Sequence, residues 1–229
     1  NVKFIAYYID NQHNLKKNLI IAKSGEGFLE RFHKILNFAK ILKTKKKILF
    51  SSVVPKIYNK INKFLIKNNF FCFEIKKLPL KKIIRINIDN YRQLGSDRIA
   101  NAISAFNLFK TNCLIVDFGT ATTFDIIKKP GVYEGGVIAP GIKLSILNLN
   151  RSTSALPKFK LKSNAKVYGK NTKDALNAGF LWGYQGLINN IIENISLKFK
   201  TKFKIIGAAE AAANLLWEFN IAAKGTFVD

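Results

Sequence analysis

The stretch Cys113-Leu114-Ile115-Val116-Asp117-Phe118-Gly119-Thr120-Ala121-Thr122-Thr123-Phe124-Asp125-Ile126-Ile127 decides how the rest of the chain is read. Residues 113–117 are an apolar run closing on a carboxylate, the pattern of a buried strand. Gly119 permits a tight turn, and a second strand runs through 123–127. A hairpin of this kind offers backbone N–H groups and a hydroxyl to phosphate oxygens. The acid at the strand end, Asp117, can hold a hard cation beside those oxygens. An ordinary β-hairpin with glycine at its turn fits the same residues.

Upstream, a polar loop over 87–98 runs into a small-residue helix, 99–109. It ends in Gly95-Ser96-Asp97-Arg98. Asp97 lies near the helix N-terminus, where negative charge is favoured, and a cap explains it. It also suits a base that orients or deprotonates an attacking hydroxyl, with Arg98 as a planar fork for a carboxylate. Downstream, Gly135-Gly136-Val137-Ile138-Ala139-Pro140-Gly141 reads as a turn or as backbone approaching something closely. Ser154-Ala155-Leu156-Pro157 comes next. Gly169-Lys170-Asn171-Thr172 then heads a helix, with Thr172 either capping it or turning its hydroxyl to a ligand.

The remaining periodicities give strands at 2–9, 18–22, 47–51, 70–76 and 202–206. Helices are expected at 25–42, 56–68, 142–149, 172–198 and 208–219. Alternating strands and helices predict an α/β architecture. A boundary near 110 divides it into 1–110 and 111–229, each half opening with a strand–turn–strand element.

Composition narrows the function classes. The chain has 229 residues with 48% hydrophobic content, ample for a packed core. No apolar run approaches the roughly 18 residues of a spanning helix, and the start carries no signal-peptide pattern. The net charge of +24 raises nucleic acid as a partner. However, the charge is scattered lysine, with Arg only at 31, 85, 92, 98 and 151, in a background rich in Ile, Asn and Phe. A solvated surface from an AT-rich genome accounts for it, and no specific nucleic-acid partner is expected. Cys72 and Cys113 have no metal-ligand spacing and read as free thiols in a reducing compartment. The sequence begins at Asn1 and holds no Met, which reads as a trimmed or edited sequence.

Order and spacing carry more than any single motif. Gly95-Ser96-Asp97-Arg98, then Asp117-Phe118-Gly119-Thr120-Ala121-Thr122, then Gly135 to Gly141, Leu156-Pro157 and Gly169 to Thr172 together resemble the type III pantothenate kinase family. Ser51-Ser52-Val53-Val54-Pro55 and the helix text Gly179 to Gly186 fit it too, so the resemblance covers roughly residues 1–206. It implies an actin-like ATPase fold, two ribonuclease-H-like domains with an interdomain cleft, assembled as a homodimer in the cytoplasm. The implied reaction is ATP-dependent phosphorylation of pantothenate, the first committed step of coenzyme A synthesis.

By the same resemblance Asp97 is the general base, and Gly95, Ser96 and Arg98 hold pantothenate. Asp117 holds a monovalent cation (K⁺ or NH₄⁺), and Thr120 beside Gly119 contacts ATP phosphate. Thr172 contacts pantothenate across the dimer interface, and Mg²⁺ bridges the ATP oxygens. Three departures stand out. The family opens with Asp-x-Gly-Asn-Thr, and Asn1-Val2-Lys3-Phe4 matches the family's residues just after that turn, so a chain this short is expected to bind ATP weakly. A family Tyr is replaced by Ile88, with Tyr91 nearby. The family's Thr-Gly-Gly adenosine loop is replaced by Gly207-Ala208-Ala209, and the end at Asp229 precedes the family's last strand. A non-catalytic or regulatory relative that lost the first phosphate loop is the alternative reading.

Overall fold

The computed structural model describes residues 6–9, 15–18, 47–51, 55–208 and 226–228. Backbone contacts divide the chain into two compact units, Asn1–Leu78 and Pro79–Asp229. The boundary expected from sequence lies later, at 110, whereas the contacts group 79–110 with the second unit.

In the first unit, β1 (Ala6–Ile9) and β2 (Leu15–Asn18) pair antiparallel, with Ala6 opposite Asn18. The second strand thus lies earlier than the 18–22 expected from sequence. A parallel pair comes next, β3 (Lys47–Phe50) beside β4 (Phe71–Glu74), connected through helix α1 (Pro55–Lys67). Ile61 and Leu65, four residues apart, present one fully buried stripe. The helix expected at 25–42 lies outside the described residues.

The second unit is built on a six-stranded mixed sheet. Its strands are β5 (Arg85–Ile86), β6 (Cys113–Phe118), β7 (Ala121–Lys128), β8 (Val132–Pro140), β9 (Lys204–Ala208) and β10 (Thr226–Val228). The order is β10-β9-β6-β7-β8-β5. β6, β7 and β8 form an antiparallel meander, while β9 and β10 add in parallel on one side and β5 pairs parallel with β8 on the other. β8 corrects the reading of 135–141 as a turn. Tyr133 and Ala139 are buried, and Gly135 at φ +121 takes up the register shift opposite Ile126/Ile127 without leaving the sheet.

Strand alternation sends the two faces of β6–β7 to different partners. Leu114, Val116, Phe118, Phe124 and Ile126 face a core made with helices α3 (Ile142–Ser152) and α4 (Thr172–Phe199), through Ile142, Leu181, Tyr184 and Ile188. Cys113, Ile115, Asp117, Thr123 and Asp125 point the other way, where helix α2 (Ser96–Phe109) packs. α2 begins at Ser96, three residues before the start expected from sequence, with Gly95 as N-cap and Asp97 in the first turn. The 208–219 helix falls largely on residues that are not described, and Ala208 itself ends β9. Among the described residues no helix is long and apolar enough to cross a membrane.

Candidate active site

Helix α2 supplies the upper half of the site. Asp97 is exposed and its Oδ1 accepts the Arg98 backbone N–H at 2.8 Å, satisfying one of the donors a helix start leaves open. Ser96 is wholly buried. Arg98 and Asn101, three residues apart, lie on the face turned to the sheet. Asn101 Nδ2 reaches Asp117 Oδ2 at 3.4 Å, a long hydrogen bond, and Arg98 Nε reaches Asp125 Oδ1 at 2.7 Å.

The sheet supplies the lower half. Asp117 ends β6 just before the hairpin tip, where Gly119 and Thr120 are exposed and Gly119 N–H donates to the Ala121 carbonyl at 3.0 Å. Burial pushes the Asp117 carboxyl up to about 6, the negative charge of Asp97 adds to the rise, and the Asn101 amide opposes it. Asp97 and Asp117 are therefore electrostatic neighbours. Both belong to the unit 79–229, so their proximity is a property of that unit and not of a pairing between two domains.

Gly141, the N-cap of α3, packs under the hairpin tip. A Cβ there would run into the carbonyl oxygens of Thr120 and Gly119. The close approach anticipated for the 135–141 segment is thus, at Gly141, an approach to the chain's own hairpin, and it brings the N-terminus of an 11-residue helix beside Thr120. That end favours negative charge.

Asp125, which no sequence motif singles out, lies behind these residues as the partner of Arg98. It is fully buried in the middle of β7, and Tyr133 of β8 donates its hydroxyl to the same Oδ1 at 2.6 Å. Burial raises the Asp125 carboxyl above its ordinary range, and the Arg98 charge pulls it back. Burial and the Asp125 charge push the Tyr133 phenol well upward, so its hydroxyl stays protonated and donates. The available signal is a lone acid inside Thr123-Phe124-Asp125-Ile126-Ile127, because a charge in an apolar strand needs a partner.

Thr172 does not join this set. It stands on α4, across the sheet from α2, and lines a groove of about 520 Å³ with Leu156, Leu176, Gly179, Phe180 and Tyr184. It does not cap the helix either, since Asn171 does so by accepting the Asp174 N–H at 2.9 Å. Tyr91 is exposed in a short 3-10 turn (91–93), and Ile88 packs toward Gly135. Among the described residues no three His, Cys, Asp or Glu side chains form a metal cluster. Two neighbouring carboxylates, one of them held back from ionising, nonetheless suit a hard cation, whose charge would relieve both. Cys72 and Cys113 are free thiols.

Known proteins similar to this chain point to one family. A type III pantothenate kinase from Pelagibacter ubique is 53% identical over 161 residues, 70% of this chain and 64% of the relative. One from a Sulfurihydrogenibium species is 36% identical over 203 residues, covering 86% and 79%. The matched stretch thus spans less than two thirds of the Pelagibacter protein's length. In structure, a Campylobacter jejuni protein described as a conserved putative Baf family transcriptional activator aligns with a TM-score of 0.53 at 21% identity, covering 84% of this chain and 81% of that one, and so shares the fold. The sequence model described as type III pantothenate kinase matches residues 8–194, and the chain belongs to that family.

Proposed function

We propose that the protein transfers the γ-phosphoryl group of ATP to the primary hydroxyl of pantothenate, giving 4'-phosphopantothenate for coenzyme A synthesis. The observation that carries the reading is the Asp117 carboxyl, raised by burial and by the nearby charge of Asp97, beside the exposed Gly119-Thr120 tip. Phosphoryl transfer needs little covalent chemistry from a protein and much positioning of charge. Asp97 orients the acceptor hydroxyl and takes its proton as the oxygen–phosphorus bond forms, while ADP leaves on the opposite side. Arg98 binds the acceptor carboxylate, with Gly95 and Ser96 shaping the approach. Gly119, Thr120 and the start of α3 face the nucleotide phosphates. Asp117 holds a monovalent cation, K⁺ or NH₄⁺, and Mg²⁺ accompanies the ATP.

The finer architecture belongs to the same reading. It comprises two ribonuclease-H-like domains of the actin-like type around a cleft, in a cytoplasmic enzyme. Thr172 lies across the sheet from Asp97, so its contact with pantothenate comes from a second copy, and the enzyme works as a homodimer. The family comparisons offer no support for a non-catalytic relative.

The test is product identification. The full-length protein, given ATP, Mg²⁺, K⁺ and pantothenate, should form ADP and phosphorylated pantothenate in equal amounts by mass spectrometry. ADP release that ignores pantothenate would sink the reading.

A further inference from the structure

A buried Arg–carboxylate pair ordinarily closes fork to fork, with two parallel N–H···O bonds. Arg98 and Asp125 do not. Arg98 Nε and the Tyr133 hydroxyl both donate to Asp125 Oδ1, at 2.7 and 2.6 Å. Meanwhile Asp125 Oδ2 and Arg98 Nη2 are both buried with no partner. An acceptor and a charged donor left empty within one ion pair carry a desolvation cost that the pair could have avoided by closing. The arrangement is held from three sides. The Tyr133 ring lies 5.9 Å from the guanidinium carbon. On β8, a Cβ at position 136 would meet Arg98 Nη2, so glycine there is what leaves that nitrogen its space. Asp125 sits on the same face of β6–β7 as Asp117, under the same helix that carries Asp97.

We infer that Asp125, with Tyr133, is a positioning residue: it clamps Arg98 by Nε and keeps Nη2 free to receive a carboxylate oxygen of the phosphoryl acceptor. The inference rests on the kinase reading above and adds to it the residues that set acceptor specificity. Tyr133 is essential to the device. Its hydroxyl bonds Oδ1 alongside Nε and fixes the carboxylate on that oxygen, so the ion pair rests on one N–H···O bond while Oδ2 and Nη2 stay unpaired. A planar anion fits the vacant donor, and a neutral group in its place forfeits that charge-assisted bond.

The test compares pantothenate with its alcohol analogue, in which CH₂OH replaces the carboxylate, on the full-length protein. Asp125→Asn should raise KM for pantothenate about tenfold, with kcat and the KM for ATP nearly unchanged, and should leave the analogue's KM within about twofold. Tyr133→Phe, which removes one hydroxyl and serves if the first variant fails to fold, should raise the pantothenate KM at least about threefold with the same selectivity. Equal losses on both acceptors, or no loss on either, would overturn the positioning role. A wild-type protein that phosphorylates neither acceptor would instead overturn the kinase reading itself.

Discussion

Arg98 on α2 and Asp125 on β7 are joined through one nitrogen and one oxygen, 2.7 Å apart, with the carboxylate fully buried and the guanidinium side chain 17% exposed. The placement of Tyr133 and Gly136 around them is a consequence of seating that pair between helix and sheet. A buried pair of this kind is costly to break and cheap to replace. Removing one partner by Arg98→Met or Asp125→Leu should cost about 3–5 kcal/mol, whereas the double variant should recover most of the loss. Urea denaturation of the three variants checks this, and additive losses would mean the two side chains do not act as a pair.

The raised Asp117 carboxyl makes stability depend on pH. In the folded protein it titrates at about 6, against 3.8 ordinarily, so between those values the folded state binds more protons than the unfolded one. Stability should therefore be greatest below about pH 4 from this group and fall as pH rises through about 6. The size is on the order of 1–2 kcal/mol once solvent screening is allowed for. Asp117→Asn should remove this part of the pH dependence. A cation held at Asp117 opposes the shift, so the slope should be smaller in K⁺ than in a buffer of bulky organic cations. Thermal unfolding across pH 4–7 in both buffers reads the difference.

Glycines separate cleanly into those that touch something and those that do not. A Cβ at Gly136 would collide with the Phe124 carbonyl oxygen and with Arg98, so Gly136→Ala should cost about 1–3 kcal/mol. Gly186, exposed within α4, has nothing within 4 Å of its Cβ position. Gly186→Ala should stabilise the protein by about 0.5–1 kcal/mol, since alanine loses less backbone entropy in a helix. Denaturation midpoints that move the same way for both would contradict the packing described.

The thiols report on the cores. Cys113 is fully buried in β6, and burial raises its thiol, with Lys204 pulling in the opposite direction. Cys72 is only partly buried, and its thiol is raised by burial alone. A thiol reagent at pH 8 should label Cys72 within minutes and Cys113 only at the rate of unfolding. Rapid labelling of both would contradict the placement of β6.

Much of this is legible in the sequence, for identifiable reasons. The apolar run 113–117 and the Gly119 turn announce the β6–β7 hairpin because period and turn chemistry agree there. The motif order carries the family because Asp97, Asp117 and Thr120 stand at the ends of consecutive elements, the start of α2, the end of β6 and the hairpin tip. Gly135-Gly136 misleads because paired glycines signal a turn, whereas here one supplies a bulge and the other clears room for Arg98. Ser96 reads as loop because its polarity hides its complete burial at the first position of α2. Asp125 is not legible because its partners lie on α2 and β8, and only the pairing of Ile115 with Asp125 and of Asp125 with Gly136 brings them together.

The central claim is that Asp97 handles the acceptor proton beside Asp117, and single-turnover phosphoryl transfer tests it most directly. With saturating ATP and pantothenate, Asp97→Asn should slow the transfer about 10²–10⁴-fold while ATP still binds with near-normal affinity. Transfer at the wild-type rate in that variant would contradict the account.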